Sequence, residues 1–346
     1  MPRTPVRTRT NALARGRRTL HTGADRWTLP LDPAPALLAS REEAVAYFAR
    51  RDLLGQAVGP VESLWESPGA TRVLRGQRVG GGWPYHGGNL RLRAQEDYEQ
   101  LATYTRLREL VEKFGMTREH PALARAARYL YGGQTREGDF RGIYGNQYSP
   151  NYSAGILELL IKAGYADDPR TRRCLRWLLS IRQADGGWAV PLRTLGAKYT
   201  EALGLGEPLR GDPAKPSSHL ITGVVLRAFA AHPAFRGNKQ IHVAGELLLS
   251  RFFRRDVYPD RSAPEFWTKF TYPFWFTDLL SSLDSLSRLG FRADDPRIAS
   301  GLRWFCDRQA RDGLWDLTLL RTGDKTLRLW VGLAIGRVFR RFGAMD

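Results

Sequence analysis

Gln183-Ala-Asp-Gly-Gly-Trp188 recurs, one residue longer, as Gln77-Arg-Val-Gly-Gly-Gly-Trp83, Gln134-Thr-Arg-Glu-Gly-Asp-Phe140 and Gln309-Ala-Arg-Asp-Gly-Leu-Trp315. The glutamines stand 57, 49 and 126 residues apart. The last gap is about two periods, so a degenerate copy is expected between Arg251 and Trp267. Upstream of three copies a glycine precedes a short polar turn and a proline: Gly115 with His120-Pro121, Gly164 with Asp168-Pro169, Gly290 with Asp295-Pro296. Glycine ends one helix, proline opens the next, and the preceding acid or His sits at the cap. Downstream of the turns come more apolar helices, at Ser153–Ala163, His219–Ala231, Thr277–Leu289 and Leu327–Phe342. The unit is therefore a helical hairpin of roughly 50 residues. Hairpins that bury one face against their neighbours must stack or close into a ring. In this frame the glutamine bonds free backbone groups and the aromatic ring packs on the next hairpin, a structural staple.

The chain has 346 residues and no apolar run of about 18 residues, the length that spans a bilayer. Cys174 and Cys306 exclude a disulfide scaffold and a multi-cysteine zinc site. The net charge of +18 attracts polyanions, anionic membrane surfaces and phosphorylated molecules alike. Six arginines and no acid fall in the first 20 residues, without an apolar segment behind them. Residues 1–28 read as a mobile basic arm and 29–346 as a single domain. Seven of the 53 basic residues are lysine, a bias expected of a GC-rich genome.

The Gln-x-x-Asp-Gly-x-Trp pattern resembles the QW repeat of squalene–hopene and oxidosqualene cyclases, within the prenyltransferase/squalene-oxidase repeat superfamily. The closest likeness is to small single-toroid bacterial and archaeal members. The resemblance implies an all-α fold, an α/α toroid of five to six repeats with outer and inner helix rings around a cavity. The acidic Asp-x-Asp-Asp motif of class II cyclases, the Asp-Asp-x-x-Asp motif of class I synthases and a prenyltransferase-like zinc set are all missing. No metal and no cofactor is expected.

Residues for chemistry are sought at the starts of the inner helices. Counting twelve residues back from Gly115, Gly164 and Gly290 gives Thr103, Tyr152 and Asp278, and His219 holds the comparable place before Ala231. Asp278, His219 and Tyr152 are the expected catalytic set, with Asp278 as the acid, its pKa raised by aromatic neighbours. Those neighbours are Phe270-Thr-Tyr-Pro-Phe-Trp-Phe276, with Tyr272 and Trp275, together with Trp267. Trp83, Tyr85 and His86 of the loop Gly80–Gly88, and Tyr148 of Tyr144–Tyr152, complete the expected substrate-binding residues. The competing account is that Asp278 and His219 belong to ordinary helix starts and that the aromatics are core.

The resemblance favours a terpenoid cyclase or prenyltransferase-like protein that takes an isoprenoid or other apolar, or phosphorylated, small molecule. A non-catalytic module for a polyanion or acidic lipid is the alternative, and a toroid polysaccharide lyase a second one. No sequence-specific nucleic-acid signature is present. A cytoplasmic location is expected, with peripheral contact to anionic membrane as an open option for the helix Leu327–Phe342. Its arginines flank one apolar face, which the interior of the ring would equally bury.

Overall fold

A computed structural model describes residues 27–86, 98–203, 206–320 and 323–343. The expected basic arm, apart from Trp27 and Thr28, lies outside the described residues, as do Gly87 and Gly88. Trp27 rests against the core and its indole N–H donates to Ala293 O at 3.3 Å.

Among the described residues the chain forms α1 (Ala34–Leu38), α2 (Glu43–Phe48, extended by a π turn at Ala49–Leu53), α3 (Pro68–Leu74) and α4 (Tyr98–Phe114). Next come α5 (Pro121–Gly132), α6 (Pro150–Leu160, extended by a π turn at Ile161–Tyr165) and α7 (Pro169–Ser180). Two short helices, α8 (Pro191–Thr194) and α9 (Tyr199–Leu203), fill an insertion before α10 (His219–Ala231). The last are α11 (Lys239–Ser250), α12 (Leu279–Leu289), α13 (Pro296–Cys306) and α14 (Leu327–Gly343). Two-residue strands at Lys269–Phe270 and Thr318–Leu319 pair in parallel.

Six inner elements pack side by side in the order α2, α4, α6, α10, α12, α14, and α14 returns to α2 and its π turn. The helices α1, α3, α5, α7, α11 and α13 form the outer layer. This is the expected all-α toroid, with six hairpins. His120, Asp168 and Asp295 cap α5, α7 and α13, each followed by proline. Gly115, Gly164 and Gly290 all have positive φ.

The repeated element explains how the ring closes. The indole N–H of Trp83, Trp188 and Trp315 donates to the carbonyl ten residues earlier, on Val73, Leu178 and Phe305. Each ring is almost fully buried. Gln77 and Gln134 donate both to their own turn and to the first turn of the next outer helix, at Ala122 O and Arg170 O. Gln309 does the same across the chain ends, exchanging two hydrogen bonds with the backbone of Leu31. The shorter third copy sends Gln183 instead to Asp212 O and Lys215 O in the insertion. At Gly138 (φ +117°) a Cβ would lie 2.7 Å from Arg173 O, so both conformation and approach require glycine. The degenerate copy ends at Trp267, fully buried, with its indole N–H on Arg254 O.

Candidate functional site: an aromatic pocket above a charged axis

Polar side chains on the inner helices fix their depth in the ring. Thr103, Ser153 and Thr222 accept from the backbone N–H of Trp83, Phe140 and Trp188. These three hydroxyls, rather than positions counted from the glycines, are equivalent. Asp278 then aligns with the helix-start residues Ser149 and Ser218, and Tyr152 falls three residues deeper. Counting from the glycines fails because the inner helices differ in length, from 11 residues in α12 to 17 in α4, and because α6 ends in a π turn.

Asp278 is the N-cap of α12. Its Oδ1 accepts from Ser281 N at 2.7 Å, and Ser281 Oγ accepts from the Asp278 N–H, a reciprocal capping box. Burial raises its carboxyl to about 7, against the opposing effects of the Ser281 hydrogen bonds and Arg227. His219 is the first residue of α10, packed at a tilt on Trp267 with 4.7 Å between ring centroids, and its Nε2 is 3.6 Å from Asp256 Oδ2. Burial lowers its pKa and Asp256 only partly restores it, so the ring is neutral at pH 7. Tyr152 contacts Tyr104, Tyr144 and Trp275. The three residues thus have separate surroundings.

The expected binding residues also separate. Trp83 and His86 line a cleft of about 880 Å³ between α3, α4 and the start of α14. Its walls carry both signs of charge, including Arg72, Arg106, Glu109 and Asp324, which suits an apolar guest poorly. Tyr85 packs at a tilt against Tyr98. Tyr148 is buried, packed on Trp177 and donating to Glu137. Trp267 belongs to its repeat turn.

Tyr272 and Trp275 lie on the ring axis. The segment Phe270–Thr277 touches inner helices on both sides of the ring. Tyr272 stacks on Trp330 of α14 at 5.6 Å and its hydroxyl donates to Glu112 of α4. Trp275 meets Tyr104 of α4 and Tyr152 of α6. Thr277 donates to Leu220 O of α10. The most aromatic stretch of the chain therefore fills the middle of the ring.

Below that layer, every inner element contributes to an ionic network. Glu158 of α6 accepts from Arg227 of α10 (2.9 Å) and Lys162 (2.7 Å), and Lys162 reaches Glu112 (2.5 Å). Arg337 of α14 binds Asp52, in the π turn after α2, and the Tyr272 hydroxyl. Asp284 of α12 pairs with Arg288 and Arg341. Burial alone would raise the Glu158 carboxyl, but Lys162 and Arg227 overcome it and hold it below its usual range. One Arg227 nitrogen, Nη2, is buried without a hydrogen-bond partner. These charges close the axis to a hydrocarbon chain from the C-terminal ends of the inner helices.

What stays open is a pocket of about 250 Å³ at the N-terminal ends. Tyr104, Tyr144, Tyr152, Trp275 and Phe276 give it aromatic walls, and Leu220, Ile221 and Val224 of α10 an aliphatic one. Two guanidinium groups sit on its rings: Arg108 lies 4.1 Å over Trp275 and Arg261 3.6 Å over Phe276. Asp260 is in the lining and is paired to Arg193 by two hydrogen bonds. The sequence reading missed Tyr104, Arg108 and Arg227. The one local signal was an arginine inside an otherwise apolar helix, His219-Leu-Ile-Thr-Gly-Val-Val-Leu-Arg227.

Residues 93–204, about a third of the chain, match the model of the squalene-hopene cyclase C-terminal domain. The matched stretch runs from the inner helix α4 to α9, within the all-α toroid described above. No curated protein matches it. Solved structures similar to it include a protein from Actinoplanes (14% identity, 90% of this chain and 88% of that one, TM-score 0.45). Another is a type II terpene cyclase from Scytonema in complex with geranylgeranyl dihydroxybenzoate (14% identity, 91% and 86%, TM-score 0.44). In the ring described here, α14 is the closing inner helix. Its apolar face is buried, and Arg328, Arg337 and Arg341 are held by carboxylates while Arg340 donates to Leu53 O. No helix among the described residues is long and apolar enough to cross a membrane.

Proposed function

We propose that this terpenoid-cyclase-like toroid binds a short, neutral, prenyl-type molecule in the aromatic pocket at the N-terminal ends of its inner helices. The observation that carries the reading is the lining: five aromatic rings and four aliphatic side chains converge on one cavity at the ring axis. At about 30 Å³ per water-sized group, its volume holds roughly eight heavy atoms, so one isoprene unit fits and the rest of a longer chain must project from the mouth. The charge around the pocket favours holding the guest as a neutral molecule. A carbocation would compete for the faces of Trp275 and Phe276 with Arg108 and Arg261 and would be repelled by both. The protonated acid nearest in sequence to these rings, Asp278, is engaged with its own helix end.

The test is a geraniol titration followed by tryptophan fluorescence, with product analysis of the mixture. Saturable binding and unchanged geraniol are expected. Ile221→Trp fills the cavity and is expected to abolish binding without loss of helical circular dichroism. Equal binding by the filled variant, or no binding by the parent, refutes the reading.

A further inference from the structure

The outer wall of the ring is electrostatically one-sided. Three consecutive outer helices, Pro68–Arg75 including the C-cap of α3, Pro121–Gly132 and Pro169–Ser180, carry eight arginines and not one Asp or Glu. Six of these arginines are exposed: Arg72, Arg75, Arg128, Arg172, Arg173 and Arg176. None of the six pairs with a carboxylate among the described residues. The turn before α7 carries Asp167 and Asp168, and Asp168 is engaged by Arg170. The three helices are neighbours. Gln77 bridges the end of α3 to Ala122 O of α5, and Tyr131 of α5 shares a hydrogen bond with Thr171 of α7 at 2.8 Å. The opposite wall differs: α11 has Lys239 and Glu246, and Arg297 of α13 is held by Asp295 and Glu246. A genome-wide preference for arginine over lysine does not explain six exposed guanidinium groups on three adjacent helices; of the other outer helices α1 has no charged residue, α11 carries Glu246 and no arginine, and α13 has two arginines.

We propose that this arginine belt binds the phosphate backbone of double-stranded nucleic acid, independently of sequence. Exposed guanidinium groups are matched to phosphates by their planar pairs of N–H donors. Neighbouring helix axes lie about 10 Å apart, so three helices present charge over about 20 Å, long enough to meet several phosphates of a duplex. A membrane-docking face would alternate basic and apolar groups. Here the exposed large apolar residue near the belt is Val79, in the turn after α3. A single-strand site needs exposed aromatic platforms, whereas on these helices Tyr131 and Trp177 are buried and Tyr129 is half-buried against the core.

Anisotropy of a labelled 20-base-pair duplex, titrated with the full chain between 50 and 200 mM salt, tests the inference. Arg128→Ala/Arg172→Ala/Arg176→Ala is compared with Arg303→Ala/Arg308→Ala/Arg311→Ala, which removes equal charge from the far side. Loss of three phosphate contacts lowers the slope of log affinity against log salt by about 2.7. That change is expected for the belt variant, and a change below about 1 for the control. Equal losses in the two variants, or no loss in the belt variant, overturn the proposal. So does binding of anionic phosphatidylglycerol vesicles without binding of duplex, which would assign the belt to lipid. All six substituted side chains are solvent-facing, and unchanged melting temperatures confirm that the fold persists.

Discussion

Asp278→Asn separates a buried acid from its role as a helix cap, and the outcome depends on pH in a defined direction. The folded carboxyl titrates at about 7 because burial penalises its charge, and the unfolded one titrates near 3.9. Below about pH 4 the group is neutral in both states and costs nothing. Between about 4 and 7 the unfolded chain releases this proton while the folded chain keeps it, so stability falls as pH rises. Above 7 the penalty is complete. Three decades of pH at about 1.4 kcal/mol each set it at about 4 kcal/mol, an upper bound that local rearrangement would reduce. Asparagine keeps an oxygen for Ser281 N and has no charge to bury. Urea unfolding of parent and variant is measured at pH 4.5, 6.0, 7.5 and 8.5, and the difference between them is plotted so that other titrating groups cancel. The variant is expected to gain on the parent steadily from pH 4.5 to 7.5 and then level off. A difference that stays flat across this range refutes the account of Asp278 as a carboxyl penalised by burial.

Trp188→Ala removes a fully buried ring and its bond to Leu178 O; a loss of about 3–5 kcal/mol in urea unfolding is expected. Gln134→Ala strands the Gly138 and Arg170 carbonyls and is expected to cost about 1–3 kcal/mol by the same measure. Arg227→Met leaves Glu158 with Lys162 alone; about 3–5 kcal/mol is expected, recovered in large part when Glu158→Leu is added. A double-mutant cycle without coupling between positions 158 and 227 would contradict the axial network.

Much of the ring was legible because its determinants are local and repeated. A capping acid or His before proline, a glycine with positive φ and a Gln-to-aromatic turn each act within about ten residues; their recurrence specifies hairpins that must stack or close into a ring, and the resemblance to the QW repeat pointed to the ring. The degenerate copy expected between Arg251 and Trp267 ends on an indole that bonds back thirteen residues, to Arg254, where the three other tryptophan copies bond back ten. The expected placement of the chemistry was less legible. Asp278, Tyr152 and His219 share a rule of spacing, but helices of unequal length and a π turn put them at different depths.

The sequence by itself determined the helical hairpins and their outer staples, because backbone caps and positive-φ turns depend on near neighbours. Tertiary structure alone decided the interior. The aromatic run Phe270–Phe276 has no periodicity that says whether it lines a cavity or fills one. That outcome follows from Glu112, Tyr104 and Trp330 arriving from helices far away in the chain. Likewise Glu158 and Arg227 are 69 residues apart. Their pairing exists only because the packing of successive hairpins brings α6 against α10, and burial there makes an unpaired charge too costly to keep.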